Sequence, residues 1–210
     1  MDNTVRKRRR GRPPKEQAGH SETRQALLKA GVAALTEKGF SATGIDEILR
    51  SVDVPKGSFY HYFKSKEAFG AELIEHYARY FSTKLDRILL NESRSPLERL
   101  QDFFQDAEDG MRRYHFSRGC LVGNLGQEMG ALPAPYRTQL TQVFQDWQSR
   151  TSACFQLARE QGEIASDIDC DEAAEYFWIG WEGAVLRAKL EQSDKPLRLF
   201  ARHFIAGISP

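Results

Sequence analysis

The segment Thr43–Phe63, TGIDEILRSVDVPKGSFYHYF, holds two short helical patterns separated by a turn. Ile45, Ile48 and Leu49 recur at helical spacing and pack inward, while Val52 and Val54 flank the turn. Thr43 followed by Asp46 is a capping-box-like start for the first pattern, and Pro55 opens the second where its missing N–H is harmless. Phe59 and Phe63 step by four and anchor the second helix. Its other face then presents Lys56, Gly57, Ser58, Tyr60, His61 and Lys64. This is the arrangement of a helix-turn-helix, and a short, polar, partly basic face suits a DNA major groove. A plain αα-hairpin with a Tyr/His surface has the same spacing.

The run VPKGSFYHYFKSKEAF, residues 54–69, resembles the signature of the TetR family of bacterial transcriptional regulators. The resemblance extends over the whole chain. It implies an N-terminal three-helix DNA-binding domain, a C-terminal helical regulatory domain, and a homodimer on a pseudo-palindromic double-stranded operator. The two recognition helices would then lie about 34–36 Å apart in successive major grooves. Carried over by position, Lys56, Ser58, Tyr60 and His61 face bases and nearby phosphates. Gly57 lets the backbone approach, and Thr43, Tyr62 and Lys66 meet the DNA backbone. The turn often has Gly before the Val, and here that residue is Asp53. Asp tolerates the left-handed conformation better than most non-glycine residues, so the turn stands.

Seven of the 30 basic and one of the 29 acidic side chains lie in residues 1–15, so this arm carries +6 and the remainder −5. Its Arg10-Gly11-Arg12-Pro13-Pro14 resembles an AT-hook. Gly11 leaves groove entry unobstructed, and Arg10 and Arg12 reach along the electronegative floor of a narrow minor groove. A nonspecific phosphate-binding tail explains the charge equally well. Residues 1–20 are expected to be disordered without DNA.

Outward from the motif, no useful stretch alternates with period two, and helical spacing recurs instead. Leu28, Val32 and Leu35 precede a C-capping Gly39. Ser65 caps a long helix carrying Phe69, Leu73, Tyr77 and Phe81, and Ser95-Pro96-x-Glu98 starts another through Leu100, Phe104 and Met111. Residues 118–131 are broken by four glycines. Three further helices follow, after Pro133, after Asp169 or Asp171, and at Pro196. The expectation is an all-α protein of about nine helices, with residues 21–66 as the helix-turn-helix domain and 67–210 as the ligand-binding and dimerisation domain.

No apolar run approaches the ~20 residues of a membrane helix, and the basic start lacks a signal peptide's apolar region. Cys120, Cys154 and Cys170 are odd in number and lack CxxC spacing, which fits a reducing cytoplasm. No GxSxG, HExxH, Walker loop or strand-borne GxGxxG occurs, and the five histidines lack metal-ligand spacing. The reading is therefore a non-enzyme without metal or cofactor.

In the second domain Met111, Trp147, Trp178 and Trp181 line a pocket or simply fill a core. Glu182, Arg187 and Asn124, with Gln127 and Glu128, are polar groups among apolar neighbours, and either bridge one another or await a ligand. GCLVGNLGQEMGALP and FWIGWEGAVLRAKLE are similar to the acrylate-responsive branch of the TetR family. That likeness implies a small unsaturated carboxylate or related carbonyl as inducer, with Arg187 as a candidate anchor and only a small pocket required. Cys120 offers a competing thiol-based sensor of electrophiles or oxidants, since Arg118 would favour its thiolate. An inert buried cysteine, and a DNA-binding protein that senses nothing, are the remaining alternatives. Gly180, Gly183 and Ala184 mark a close-packed dimer helix, and the family places the interface on its last two helices. The long helix from Lys66 is expected to relay the signal.

Overall fold

The computed structural model describes residues 15–210. Arg10, Gly11 and Arg12, expected to contact DNA, lie outside the described residues. Within them the chain forms nine α-helices and no strands. These are α1 (Lys15–Lys38), α2 (Ile45–Ser51), α3 (Phe59–Tyr62), α4 (Lys66–Leu89), α5 (Pro96–Arg113), α6 (Leu121–Gln127), α7 (Ala134–Glu160), α8 (Cys170–Glu191) and α9 (Lys195–Ile208). A 3₁₀ turn, Lys56–Ser58, precedes α3. Helix α1 begins inside the stretch read as a disordered arm, so residues 15–20 are helical.

The anticipated stop and start signals mostly hold. Gly39 follows α1 at φ 80°, and its N–H reaches Leu35 O at 3.0 Å. Ser65 Oγ accepts from Ala68 N at 3.1 Å, and Ser95 N donates to Glu98 Oε2 at 2.9 Å in a capping box. Asp53 takes φ 54°, the left-handed turn expected of it. The Thr43–Asp46 cap is a correction: Gly44 is the N-cap of α2 and makes no side-chain cap bond. Thr43 instead turns inward, its hydroxyl donating to Gly39 O at 2.6 Å.

Phe59, Phe63 and Phe69 form an edge-and-tilt cluster that pins α3 to α4. Arg24 and Glu72 pair across α1 and α4. Beyond this unit, α4 packs on α5, α6 and α7, and α8 packs on α7 and α9. One aromatic core fills the space between them: Trp147, Trp178, Phe103 and Phe177 are each at most 2% exposed.

Candidate functional site

Two surfaces carry the chemistry. The first is the outer face of the 3₁₀ turn and α3. With Phe59 and Phe63 buried, Lys56, Gly57, Tyr60, His61 and Lys64 are exposed and Ser58 is half-buried. Tyr60 is 70% exposed, high for so large a ring. Lys56 Nζ lies 2.5 Å from Asp46 Oδ2, an exposed pair that a phosphate can displace. Tyr62 is half-buried and packs at a tilt against His20 with ring centres 4.6 Å apart, and Lys66 Nζ sits 4.7 Å from the centre of the Phe40 ring. Thr43 is only 2% exposed, so its side chain is removed from the set facing outward.

The second is a cavity of about 470 Å³ walled by α1, α4, α5 and α8 together with residues 118–120. Phe103, Met111, Trp178 and Trp181 form a buried apolar floor, while Lys29, Tyr80 and Tyr114 form an exposed rim. Tyr77, Cys120 and Glu182 meet on one wall. Burial, and secondarily the Glu182 carboxylate, push the Cys120 thiol well up. Burial likewise raises the Glu182 carboxyl to about 7. It also pushes the Tyr77 phenol up, with Cys120 and Glu182 adding to the shift.

This overturns the expected effect of Arg118. Its Nε donates to Glu37 Oε1 at 2.7 Å and its guanidinium carbon lies 4.0 Å from the centre of the Tyr114 ring, leaving the thiol dominated by its buried surroundings. Cys120 does N-cap α6, its Sγ accepting from Gly123 N at 3.5 Å, but desolvation outweighs that contact.

Between the two surfaces lies a dense polar joint at the C-terminal end of α1. The last carbonyls of a helix have no intrahelical partner. Here Gly119 N donates to Thr36 O at 3.1 Å, and Asn124 Nδ2 to Leu35 O and Thr36 O at 3.0 Å each. Lys189 Nζ, on α8, reaches Thr36 O at 3.0 Å and Glu37 O at 2.7 Å, adding a cation at the negative end of the helix dipole. Just beyond, the Glu128 carboxylate accepts from Phe40 N at 2.9 Å and Ser41 N at 2.8 Å. A Cβ at Gly39 would lie 1.8 Å from Glu128 Oε1.

The family model described as "Bacterial regulatory proteins, tetR family" matches residues 27–73, and "Tetracyclin repressor-like, C-terminal domain" matches residues 96–204. Transcriptional regulator AcuR of Cereibacter sphaeroides is 53% identical over 206 residues, 95% of this chain and 92% of that protein. The HTH-type transcriptional repressor DhaR of a Mycobacterium species, strain GP1, is 33% identical over 89% of this chain and 92% of its own. A crystal structure of a regulatory protein TetR from Rhodobacter sphaeroides superposes with a TM-score of 0.86 at 54% identity, covering 88% of this chain and 97% of that one.

This chain belongs to the TetR family.

It is accordingly a transcriptional regulator of the DNA-binding, helix-turn-helix kind. TetR family proteins bind operator DNA, act as dimers and take small-molecule ligands. No helix among the described residues is long and apolar enough to cross a membrane, and no cluster of metal-ligating side chains occurs among them.

Of the predicted ligand residues, Met111, Cys120, Trp178, Trp181 and Glu182 line the cavity. Three do not. Trp147 is fully buried against Phe81 and Trp178 as core. Asn124 spends its amide on α1. Arg187 is exposed and bonds Glu191 one turn along, so neither an anchor nor a Glu182–Arg187 pair exists. Gly180 is also reassigned: a Cβ there would meet the Phe200 ring at 2.3 Å, so its smallness serves α8–α9 packing within the subunit. Ala184 is buried, while Gly183 faces open space.

Sequence reasoning missed Lys29, His76 and Lys84 as cavity residues, because basic side chains on amphipathic helices read as solvated faces, and it read Arg118 only as a neighbour of Cys120. It also missed the role of Lys189. The signal for Glu128 was present as a carboxylate in a glycine-broken stretch, 88 residues from its partner Phe40.

Proposed function

We propose that this chain is a homodimeric repressor released from a pseudo-palindromic operator by an unsaturated carboxylate or related carbonyl, of which acrylate is the simplest. The observation that carries the reading is that α1, part of the DNA-binding unit, forms a wall of the cavity together with α4, α5 and α8. A ligand there touches both units at once. Cys120 and Gly119 line the cavity, and the same short segment caps the end of α1. Ligand binding that shifts this segment changes how α1 is held, and with it the position of α3. Such a shift requires only that the ligand bind the two arrangements with different affinity. Lys56, Gly57, Ser58, Tyr60 and His61 face the major groove, with Tyr62 and Lys66 beside them and the N-terminal arm in the minor groove.

The dimer face is assigned to α8 and α9, where Tyr176, Ile179, Leu186, Leu190 and Leu199 are all exposed and apolar. One exposed leucine is ordinary on a monomer, but these five side chains gathered on two helices are the kind of apolar surface a second copy covers.

A second reading is favoured by Cys120 facing the cavity beside Glu182. Glu182 would take the thiol proton, sulfur would bond to the β-carbon of the unsaturated acid, and the displaced π pair would collect that proton at the α-carbon. The high thiol pKa makes this slow at rest and dependent on Glu182. The test is fluorescence anisotropy of a labelled operator, titrated with acrylate, its saturated analogue and acrolein, for the parent and Cys120→Ser. Release of both proteins supports noncovalent induction, and release of the parent alone supports the thiol. If no acid or aldehyde releases either protein, the ligand assignment is wrong.

A further inference from the structure

The cavity is much larger than the simplest inducer needs. An acid of five non-hydrogen atoms displaces roughly four water volumes, about 120 Å³ at ~30 Å³ each. The cavity holds about 470 Å³ and lies within the range of pockets built for drug-sized ligands. Filled by acrylate alone, its aromatic floor would lack partner atoms across most of its area.

Charge is also distributed along it. Lys29 stands at the exposed rim on α1, with His76 and Lys84 on α4 and Arg118 in the segment before α6. Lys84 is paired with Asp106, and Arg118 with Glu37. Lys29 makes no ion pair among the described residues, so it is the cation left at the rim for an anion; burial first, and then the charges of Arg79 and Lys29, hold His76 below its ordinary value. Among the described residues the only carboxyl group lining the cavity is that of Glu182, on the wall with Tyr77 and Cys120. An anionic group is therefore drawn to the rim, and the floor beyond offers Phe103, Met111, Trp178 and Trp181.

Resting on the ligand reading above, we propose that the preferred ligand is an unsaturated carboxylate with an aromatic or medium-length apolar tail, of about ten to fifteen non-hydrogen atoms. Its carboxylate lies at the Lys29–His76 rim and its tail on the tryptophan floor. Ala107, on α5, sits along the tail's path.

The experiment is calorimetric titration of the full-length protein with acrylate, crotonate, sorbate, cinnamate and methyl cinnamate. Cinnamate is expected to bind at least tenfold tighter than acrylate, and methyl cinnamate at least tenfold weaker than cinnamate. Lys29→Gln should shrink the acid-to-ester ratio to about threefold. Ala107→Phe, checked for an intact melting transition, should weaken cinnamate about tenfold and leave acrylate within twofold. The proposal is overturned if acrylate binds as tightly as cinnamate, or if the ester matches the acid in the parent. Acrylate that releases operator while cinnamate does not bind sinks the size argument alone. No binding by any acid sinks both it and the ligand class beneath it.

Discussion

Glu128→Ala tests whether the two units are joined where the geometry says they are. The carboxylate accepts from two backbone N–H groups of the α1–α2 turn, Phe40 N in a part-buried position and Ser41 N in an exposed one. A hydrogen bond to a charged group contributes about 1.5–3 kcal/mol when its partner is left unsatisfied. Ser41 N can turn to water, so only the Phe40 bond counts near that range, and the expected loss is about 2 kcal/mol. For a chain of this size the melting temperature should fall by about 4–8 °C. Gly39 supplies an internal control. Its φ of 80° disfavours any other residue, and an added Cβ would also strike Glu128 Oε1. Gly39→Ala in the parent suffers both penalties, and in the Glu128→Ala background only the first. The double-mutant cycle should therefore be non-additive by about 1–2 kcal/mol, with the second change less harmful than the sum predicts. Anisotropy on the same four proteins gives the functional readout. The inducer-dependent ratio of operator Kd values should shrink at least about threefold in Glu128→Ala, since part of the coupling free energy passes through this contact. Additive melting shifts, or an unaltered ratio with an intact fold, would refute the idea that this carboxylate ties the turn to the regulatory domain.

Glu182 has its carboxyl raised by burial from 4.5 to about 7, so its neutral form is favoured by folding. The native state is thus most favoured relative to the unfolded chain below about pH 4.5, and that advantage, at most roughly 3 kcal/mol, is lost as pH rises through about 7; Glu182→Gln should melt higher than the parent at pH 8 and differ little at pH 5, by calorimetry. Removing residues 1–14, which carry six of the basic side chains, should weaken operator binding and make the salt slope shallower by about 3 per protomer if half of them neutralise phosphates; identical slopes would dismiss the arm as a DNA contact. Tyr60→Ala removes a ring that is 70% exposed, so it should leave the melting temperature within about 1 °C and weaken specific operator binding about tenfold or more in a gel shift, while nonspecific binding stays within twofold.

What the sequence made legible were features set by local chemistry. Phe59 and Phe63 could be assigned inward because a four-residue step fixes their side of any helix. Ser65, Ser95–Glu98 and Gly39 announced helix ends because caps act through their nearest neighbours. Asp53 announced its left-handed turn for the same reason. Thr43 misled because a hydroxyl two residues before a helix can bond backward as readily as forward, and it chose Gly39 O. The cavity was half legible. Its aromatic floor follows from the apolar stripes of α5 and α8, but Trp147 lies on an equally apolar stripe and is core. Only the packing of α7 against α4 and α8 separates the two cases. Arg187 looked like a buried cation because its neighbours are Leu186 and Ala188, yet it sits on the exposed face with Leu186 and Leu190.

The joint at the end of α1 explains why the regulatory half of the chain carries Asn124, Glu128 and Lys189 at all. Each is polar, each lies on or beside a helix with an apolar face, and none bonds to a partner within its own domain's core. All three serve groups that α1 and its following turn cannot satisfy themselves. The carbonyls at Thr36 and Glu37 and the amides at Phe40 and Ser41 would otherwise stand unpaired or lean on water at a part-buried boundary. The DNA-binding unit is therefore incomplete in its hydrogen bonding without the regulatory domain. A movement of the Gly119–Cys120 segment at the cavity wall cannot leave that unit untouched, because Gly119 N is itself one of the donors. Helix α4 need not carry the signal alone: α1 is held at its far end by the same segment that a ligand would touch.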